Sequence, residues 1–350
     1  MAMKMKGPGI FLAQFTTPDP PRNNIDNFAT WAAELGFKGL QVPSWDPNMI
    51  ELDKAAESKT YCDEWAGKLK DKGLEVTDLY GLQGQMIAIH PAMEILFENF
   101  HPKGLSGNAL VEWAQGELKK IVKASINLGV KTIPVLSGGL AWNLVYPWPQ
   151  RPAGIIETAY KELVKRWRPV LDFAHENGIT INYELHPGCD LFDGATFDMF
   201  LEYSNEHPAA CINYDPSHFV LMQLDLYEFI KVYSSRIKGF HVKDGEFIST
   251  AKQGVYSGMQ PWPKRAGRFR TVGDGQVDFR RVFTLLTEAG FDGWAVLEWE
   301  DPVRSPDQAA KIAVDFIKNH MIDVAEYAFD NFLDSGADEQ ANKNILGIRD

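Results

Sequence analysis

Short apolar runs alternate with amphipathic stretches along the whole chain. "GIFLAQF" (9–15) is too short and too apolar for a surface helix and reads as a buried strand, whereas "NIDNFATWAAELGF" (24–37) repeats its apolar positions at helical spacing and stops at Gly36. The alternation then recurs. Strand-like runs lie at 39–42, 75–81, 130–139, 179–186, 210–218, 237–245 and 293–301. Helical patterns lie at 61–74, 109–129, 155–177, 197–205, 224–235 and 279–290. A last amphipathic helix is expected from about 307 to 333, with Ile312, Phe316, Ile317, Val324, Phe329 and Phe332 covering either the domain or a dimer contact.

Eight strands separated by helices predict a parallel sheet, because each parallel strand needs a crossover to reach the next. Five helical patterns end in a glycine just before an apolar run ("ELGF", "DKGL", "NLGV", "ENGI", "EAGF"), and a left-handed glycine cap would turn each helix into its strand. The fold class predicted is α/β: a (β/α)8 TIM barrel with extended loops on its active face and a long C-terminal helix. An open doubly wound sheet is the alternative. No GxGxxG follows the first strand and no GxxxxGK[ST] occurs, which counts against dinucleotide and P-loop folds. One barrel domain over residues 1–335 and a polar tail over 336–350 account for the length.

Bulk properties narrow the partners. Hydrophobic content of 45% and charged content of 23% are ordinary for a globular protein. A net charge of −12 counts against nucleic acid, whose phosphates must be met by Lys and Arg. No apolar run approaches the ~20 residues that span a bilayer. Cys62, Cys189 and Cys211 lack CxxC spacing, so neither a disulfide framework nor a zinc knuckle is expected, and a cytoplasmic setting is.

The chemistry concentrates at strand ends. In a barrel the C-terminal ends of the strands converge on the active face. The fifth strand ends in Glu184 and His186, and the sixth in Asp215 and His218. The seventh carries His241, Lys243 and Asp244, and the eighth ends in Glu298, Glu300 and Asp301. A single Asp after a strand is usually a turn residue or helix cap, and a single His a core residue. Four successive strands with metal-capable side chains at one place point instead to a metal. Three carboxylates with one imidazole suit Mn²⁺ or Mg²⁺, with Co²⁺ or Zn²⁺ as alternatives.

With "NYELHPG", "NYDPSHF", "GFHVKDGEF", "VGDGQVDF" and "GWAVLEWEDP" in hand, the chain resembles the xylose isomerase-like TIM-barrel superfamily, within its sugar phosphate isomerase/epimerase group, alongside ketose 3-epimerases and inosose dehydratase. The resemblance covers nearly the whole chain. It implies that Glu184, Asp215, His241 and Glu298 bind the metal, that Glu184 and Glu298 are the catalytic acid/base pair, and that His218 contacts substrate. Two departures stand out. The stretch from Phe247 to Thr271 is long, and the arginine that the epimerases place soon after the histidine ligand is missing, so ketohexose specificity is not carried over.

The expected reaction begins when the metal holds two adjacent oxygens of a hydroxy-ketone and acidifies the neighbouring C–H, a glutamate takes the proton, and an enediolate forms. Return of the proton gives isomerisation or epimerisation; loss of a β leaving group gives elimination. The leading reading is a metal-dependent isomerase or epimerase of a keto-sugar or keto-glycoside. The alternatives are a lyase acting by β-elimination on a 3-keto-glycoside and, behind it, a non-catalytic sugar-binding barrel. Two proline-stiffened aromatic loops, "YPWPQRP" (146–152) and "QPWPKRAGRFR" (260–270), should rise at the active face. Trp142, Trp148 and Trp262 are candidates to stack on a sugar, with loop packing or subunit contact as the alternative. Lys264, Arg265, Arg268 and Arg270 form a basic cluster for a phosphate or carboxylate, or simply an exposed charged face. His186, Lys243, Asp244 and Glu300 complete the substrate-binding candidates; Asp274 could approach substrate, His90 after the third strand is a lesser candidate, and Asp278 reads as a helix cap. Partners expected are a small sugar, a second copy of the chain, and a sugar dehydrogenase that makes the keto group.

Overall fold

In a computed structural model of the protein, residues 4–325 and 338–349 are described. The barrel strands are β1 (Lys6–Phe11), β2 (Gly39–Pro43), β3 (Glu75–Tyr80), β4 (Thr132–Val135), β5 (Thr180–Glu184), β6 (Ala210–Tyr214) and β7 (Ile237–Val242). After an inserted antiparallel hairpin, β8 (Asp244–Phe247) and β9 (Gly267–Arg270), the last barrel strand is β10 (Trp294–Leu297). These eight strands are parallel and ordered β3-β2-β1-β10-β7-β6-β5-β4. The seam between β3 and β4 is bridged at Gly81 and Val135, where the Gly81 N–H donates to the Pro134 carbonyl at 2.8 Å, so the barrel is nearly closed.

The helices are α1 (Ile25–Leu35), α2 (Leu52–Glu57), α3 (Lys59–Lys70), α4 (Gly107–Leu128), α5 (Ile155–Glu176), α6 (Gly194–Ser204), α7 (Pro216–Met222), α8 (Leu226–Tyr233), α9 (Phe279–Glu288), α10 (Pro306–His320) and α11 (Glu339–Leu346). Strands such as "ACINY" in β6 are buried along their whole length, which is why they read as continuous apolar runs rather than alternating ones. The five glycines expected to cap helices (Gly36, Gly73, Gly129, Gly178 and Gly290) all have φ between 68° and 98°. Cys62, Cys189 and Cys211 are buried free thiols. No helix among the described residues is long and apolar enough to cross a membrane.

Four local expectations differ from the structure. The sixth strand stops at Tyr214 instead of running to 218, because Asp215 caps and Pro216 starts α7. The seventh stops at Val242, and the chain turns into the β8–β9 hairpin, which accounts for the long stretch after Phe247. A 3-10 segment over Pro91–Phe100 and helix α2 form where the apolar pattern predicts no element. The last barrel helix is α10, which ends at His320, well short of 333; Ile317 is fully buried in the core, with Ile312 and Phe316 packed against it. Phe329, Phe332 and the 335/336 boundary lie outside the described residues, and the tail beyond contains α11.

Candidate metal centre

Four strands aim four metal-capable side chains at one point. Glu184 is the last residue of β5, Asp215 the first after β6, His241 lies in β7, and Glu298 is the first after β10. One donor atom from each lies within 4.8 Å of the others, and all four residues are buried. The local sequence explains the aim of Asp215. Its Oδ1 accepts from the Ser217 N–H (2.8 Å) and hydroxyl (2.7 Å) as the cap of α7, which leaves Oδ2 to point inward. His241 is oriented through its far nitrogen: Nε2 lies 2.9 Å from Gln41 Oε1, so Nδ1 faces the cluster.

Asp215 Oδ2, Glu298 Oε2 and His241 Nδ1 are buried without a hydrogen-bond partner. His241 Nδ1 and Glu298 Oε2 are 2.8 Å apart yet not aligned as a hydrogen bond. Orphaned buried polar atoms are costly and rare. Three of them converging, two anionic oxygens and one imidazole nitrogen, form a donor set that fits a divalent cation. A second grouping, Glu184 with His186 and His218, shares Glu184 and extends the same site.

The electrostatics follow from burial and neighbours. Burial pushes Asp215 up, while the charges of His218 and Lys243 pull the other way. For Glu298 burial also favours the neutral acid, but Lys243 and His241 overcome it and hold the carboxyl well below the usual range. Burial works against a charged His241, yet the Glu298 and Glu184 carboxylates raise it to about 9. His218 is pushed well down by burial and by its neighbour His186. Lys243 is 1% exposed and sits 3.0 Å from Glu300, 3.4 Å from Glu298 and 3.6 Å from Asp215. Burial opposes its charge, but these carboxylates keep it protonated.

The remaining candidates divide. His218 Nε2 contacts Glu184 Oε1 (3.0 Å), and its ring centre lies 4.2 Å from that of His186. His186, His218, Glu300, Trp142, Trp262 and Arg265 line a cavity of about 880 Å³ beside the cluster. Asp244 is engaged elsewhere: its carboxylate accepts from the N–H groups of Gly245, Gly273, Gly275 and Val277 and so pins the turn before α9. A Cβ at Gly275 would meet Asp244 Oδ1 at 2.2 Å, so that turn requires glycine. Arg268 and Arg270 are also turned away from a ligand role, since both bind Glu246 across the hairpin (2.5 and 2.8 Å). Trp148 is 69% exposed and does not line the cavity. Asp274 pairs with Arg304, His90 caps the 3-10 segment, and Asp278 caps α9.

Three contacts came from strands whose ends carry no metal-type residue. The Tyr80 hydroxyl donates to Glu184 Oε2 (3.0 Å), Gln14 Nε2 to Glu298 Oε1 (2.6 Å), and Gln41 holds His241. Extending the strand-end rule to β1 and β3 would have found Gln14 and Tyr80.

Residues 29–320 match the family model described as Xylose isomerase-like TIM barrel, and the chain belongs to that family. Among curated proteins it is similar to inosose dehydratase from Clostridium tetani, 30% identical over 152 residues that make up 43% of this chain and 50% of that protein. The chain thus spans about half the length of the curated relatives it matches. In fold it is similar to 3-keto-D-glucoside 4-epimerase from E. coli (TM-score 0.61, 16% identity, 91% of this chain and 99% of the other). It is also similar to a xylose isomerase-like TIM barrel protein from Mycobacterium smegmatis solved in complex with magnesium (TM-score 0.60, 15% identity, 91% and 96%).

Proposed function

We propose that the protein is a divalent-metal-dependent isomerase or epimerase of a keto-sugar or keto-glycoside. The observation that carries this reading is the convergence of three buried donor atoms that make no hydrogen bond, with Glu184 beside them, at the C-terminal ends of barrel strands. Mn²⁺ is the preferred ion, with Mg²⁺, Co²⁺ or Zn²⁺ as alternatives. Bound there, a divalent ion would polarise a carbonyl and acidify the C–H beside it.

The chain's own residues supply the rest. Glu184 and Glu298 move the proton; Tyr80 and His218 hold Glu184, and Gln14 holds Glu298. Lys243 places a buried positive charge where negative charge develops on the substrate oxygens. Phe11, Tyr80 and His241 stack as an aromatic wall that keeps water from one side. Three buried free thiols agree with a cytoplasmic setting. A sugar dehydrogenase as supplier of the keto group and a homo-oligomeric assembly belong to the same proposal.

A lyase is the second reading. It is favoured by His186, which lines the cavity against His218 and is positioned to protonate a departing group. Incubation of the metal-loaded protein with a 3-keto-glycoside in D₂O separates the two. Deuterium at the carbon beside the carbonyl, with the aglycone retained, supports isomerase chemistry; release of the aglycone replaces it with the lyase; the absence of both exchange and release refutes both readings.

A further inference from the structure

The cavity over the cluster has two chemically different ends. At its floor, His218 and Glu300 join it to the buried charges, through contacts of 3.0 Å to Glu184 and 3.0 Å to Lys243 respectively. Away from that floor the walls turn apolar: Trp142, Phe192, Leu221, Tyr256, Trp262 and Phe269. These rings are arranged in pairs. Trp142 meets Phe192 edge-on at 5.2 Å, and Trp262 tilts over Phe269 at 5.1 Å. Phe269 marks the border, since Lys243 Nζ sits 4.1 Å above its ring and His218 packs at its edge. Tyr256 is 72% exposed, an aromatic side chain open at the rim. At about 880 Å³, the space lies near the upper end of the range for sites that enclose drug-sized ligands (about 300–1,000 Å³), more than a single sugar ring requires.

Among the described residues, Arg265 is the one lysine or arginine that lines this cavity, and its side chain is held by the loop. Arg265 donates to the carbonyls of Gln260 (2.7 Å) and Gly258 (2.9 Å), and its guanidinium carbon lies over the Trp262 ring, 4.0 Å from its centre. Arg268 and Arg270 share Glu246. A phosphate would meet the carboxylates of Asp193 and Glu300 in the same lining, whereas an apolar group needs only the ring and aliphatic surface that makes up most of the wall.

We propose that this chamber takes an apolar, flat aglycone, so that the substrate is a keto-sugar joined to an aryl group and not a sugar phosphate. This rests on the reading that the carboxylate and imidazole cluster handles the sugar. The sugar would sit on the charged floor, with the aryl group between the Trp142–Phe192 and Trp262–Phe269 pairs.

The test is binding to the metal-loaded protein, read by tryptophan fluorescence and calorimetry, with three probes that need no turnover: phenyl β-D-glucoside, methyl β-D-glucoside and fructose 6-phosphate. Burial of the phenyl ring should make the phenyl glucoside bind about tenfold or more tightly than the methyl glucoside. Trp262→Ala, and separately Leu221→Asp, should erase most of that difference. Equal binding of the two glucosides, or tightest binding by fructose 6-phosphate, overturns the proposal. The D₂O experiment keeps the two ideas apart. Phenyl preference without proton exchange or aglycone release leaves the chamber assignment standing and removes the proposed function; exchange without phenyl preference does the reverse.

Discussion

Gln41 Oε1 lies 2.9 Å from Nε2 of His241, and this contact determines which imidazole nitrogen faces the carboxylates. In the neutral ring that a metal ligand requires, the proton sits on Nε2 toward Gln41 and the lone pair of Nδ1 faces the cluster. Gln41→Leu removes the acceptor and lets the other tautomer compete. Loss of such an outer contact typically weakens metal affinity about 10–100-fold. Equilibrium dialysis against Mn²⁺ should show a drop in that range, and unchanged affinity would mean that something else orients the ring.

Glu184→Gln and Glu298→Gln each remove a proton acceptor while keeping the side-chain shape. Solvent deuterium exchange into a keto-sugar should fall by about a hundredfold or more in either variant, the usual weight of a positioned general base. Far-UV circular dichroism and melting temperature should show both variants folded. A variant that keeps wild-type exchange would remove that glutamate from the chemistry.

Lys243 compensates carboxylates that are otherwise buried together. Lys243→Met keeps the volume and removes the charge. In metal-free protein this should cost about 3–5 kcal/mol, because it leaves buried charge unpaired. With saturating Mn²⁺ the loss should shrink, since the ion supplies the missing positive charge. Melting curves with and without metal check this; equal losses in both would show that the ion and the lysine do not share the same carboxylates.

Asp78 gives a pH dependence at the other end of the barrel. It lines a cavity of about 270 Å³ at the N-terminal ends of the strands, is 5% exposed, and has an unpartnered Oδ1. Burial raises its pKa from 3.8 to about 7, against the lowering influence of the His241 charge and of Gln41 and Thr77. The folded state therefore holds this proton more tightly than the unfolded chain. Its stabilising contribution is complete below about pH 4 and is lost as pH rises to about 7, a difference of about 4 kcal/mol at most. Asp78→Asn should raise the melting temperature of metal-free protein at pH 8 and leave it nearly unchanged at pH 4. An equal effect at both pH values would show that the charge is not what costs stability.

The barrel was legible because strands buried on both faces appear as unbroken apolar runs and because left-handed glycines punctuate the helices that precede them. The clustering of Glu184, Asp215, His241 and Glu298 was legible from a positional rule applied to four consecutive strands, since the chemistry of these side chains stands out in a strand. Tyr80, Gln14 and Gln41 do not stand out, because Tyr and Gln are ordinary in strands and loops, and their importance comes from what they touch. Asp244 looked like its neighbours in the motif, yet the glycine turn that consumes its oxygens lies about thirty residues downstream. The basic cluster was visible as composition, but its pairing with Glu246 depends on the hairpin register, in which Glu246 faces Arg268.

The central claim is that Glu184, Asp215, His241 and Glu298 form one divalent-metal centre. The most direct measurement is metal content by mass spectrometry after chelation and dialysis against Mn²⁺, on wild type and on Asp215→Ala. The account predicts one ion per wild-type chain and a large loss of bound ion in the folded variant. Absence of bound metal in the wild type, or equal retention in both proteins, would contradict it.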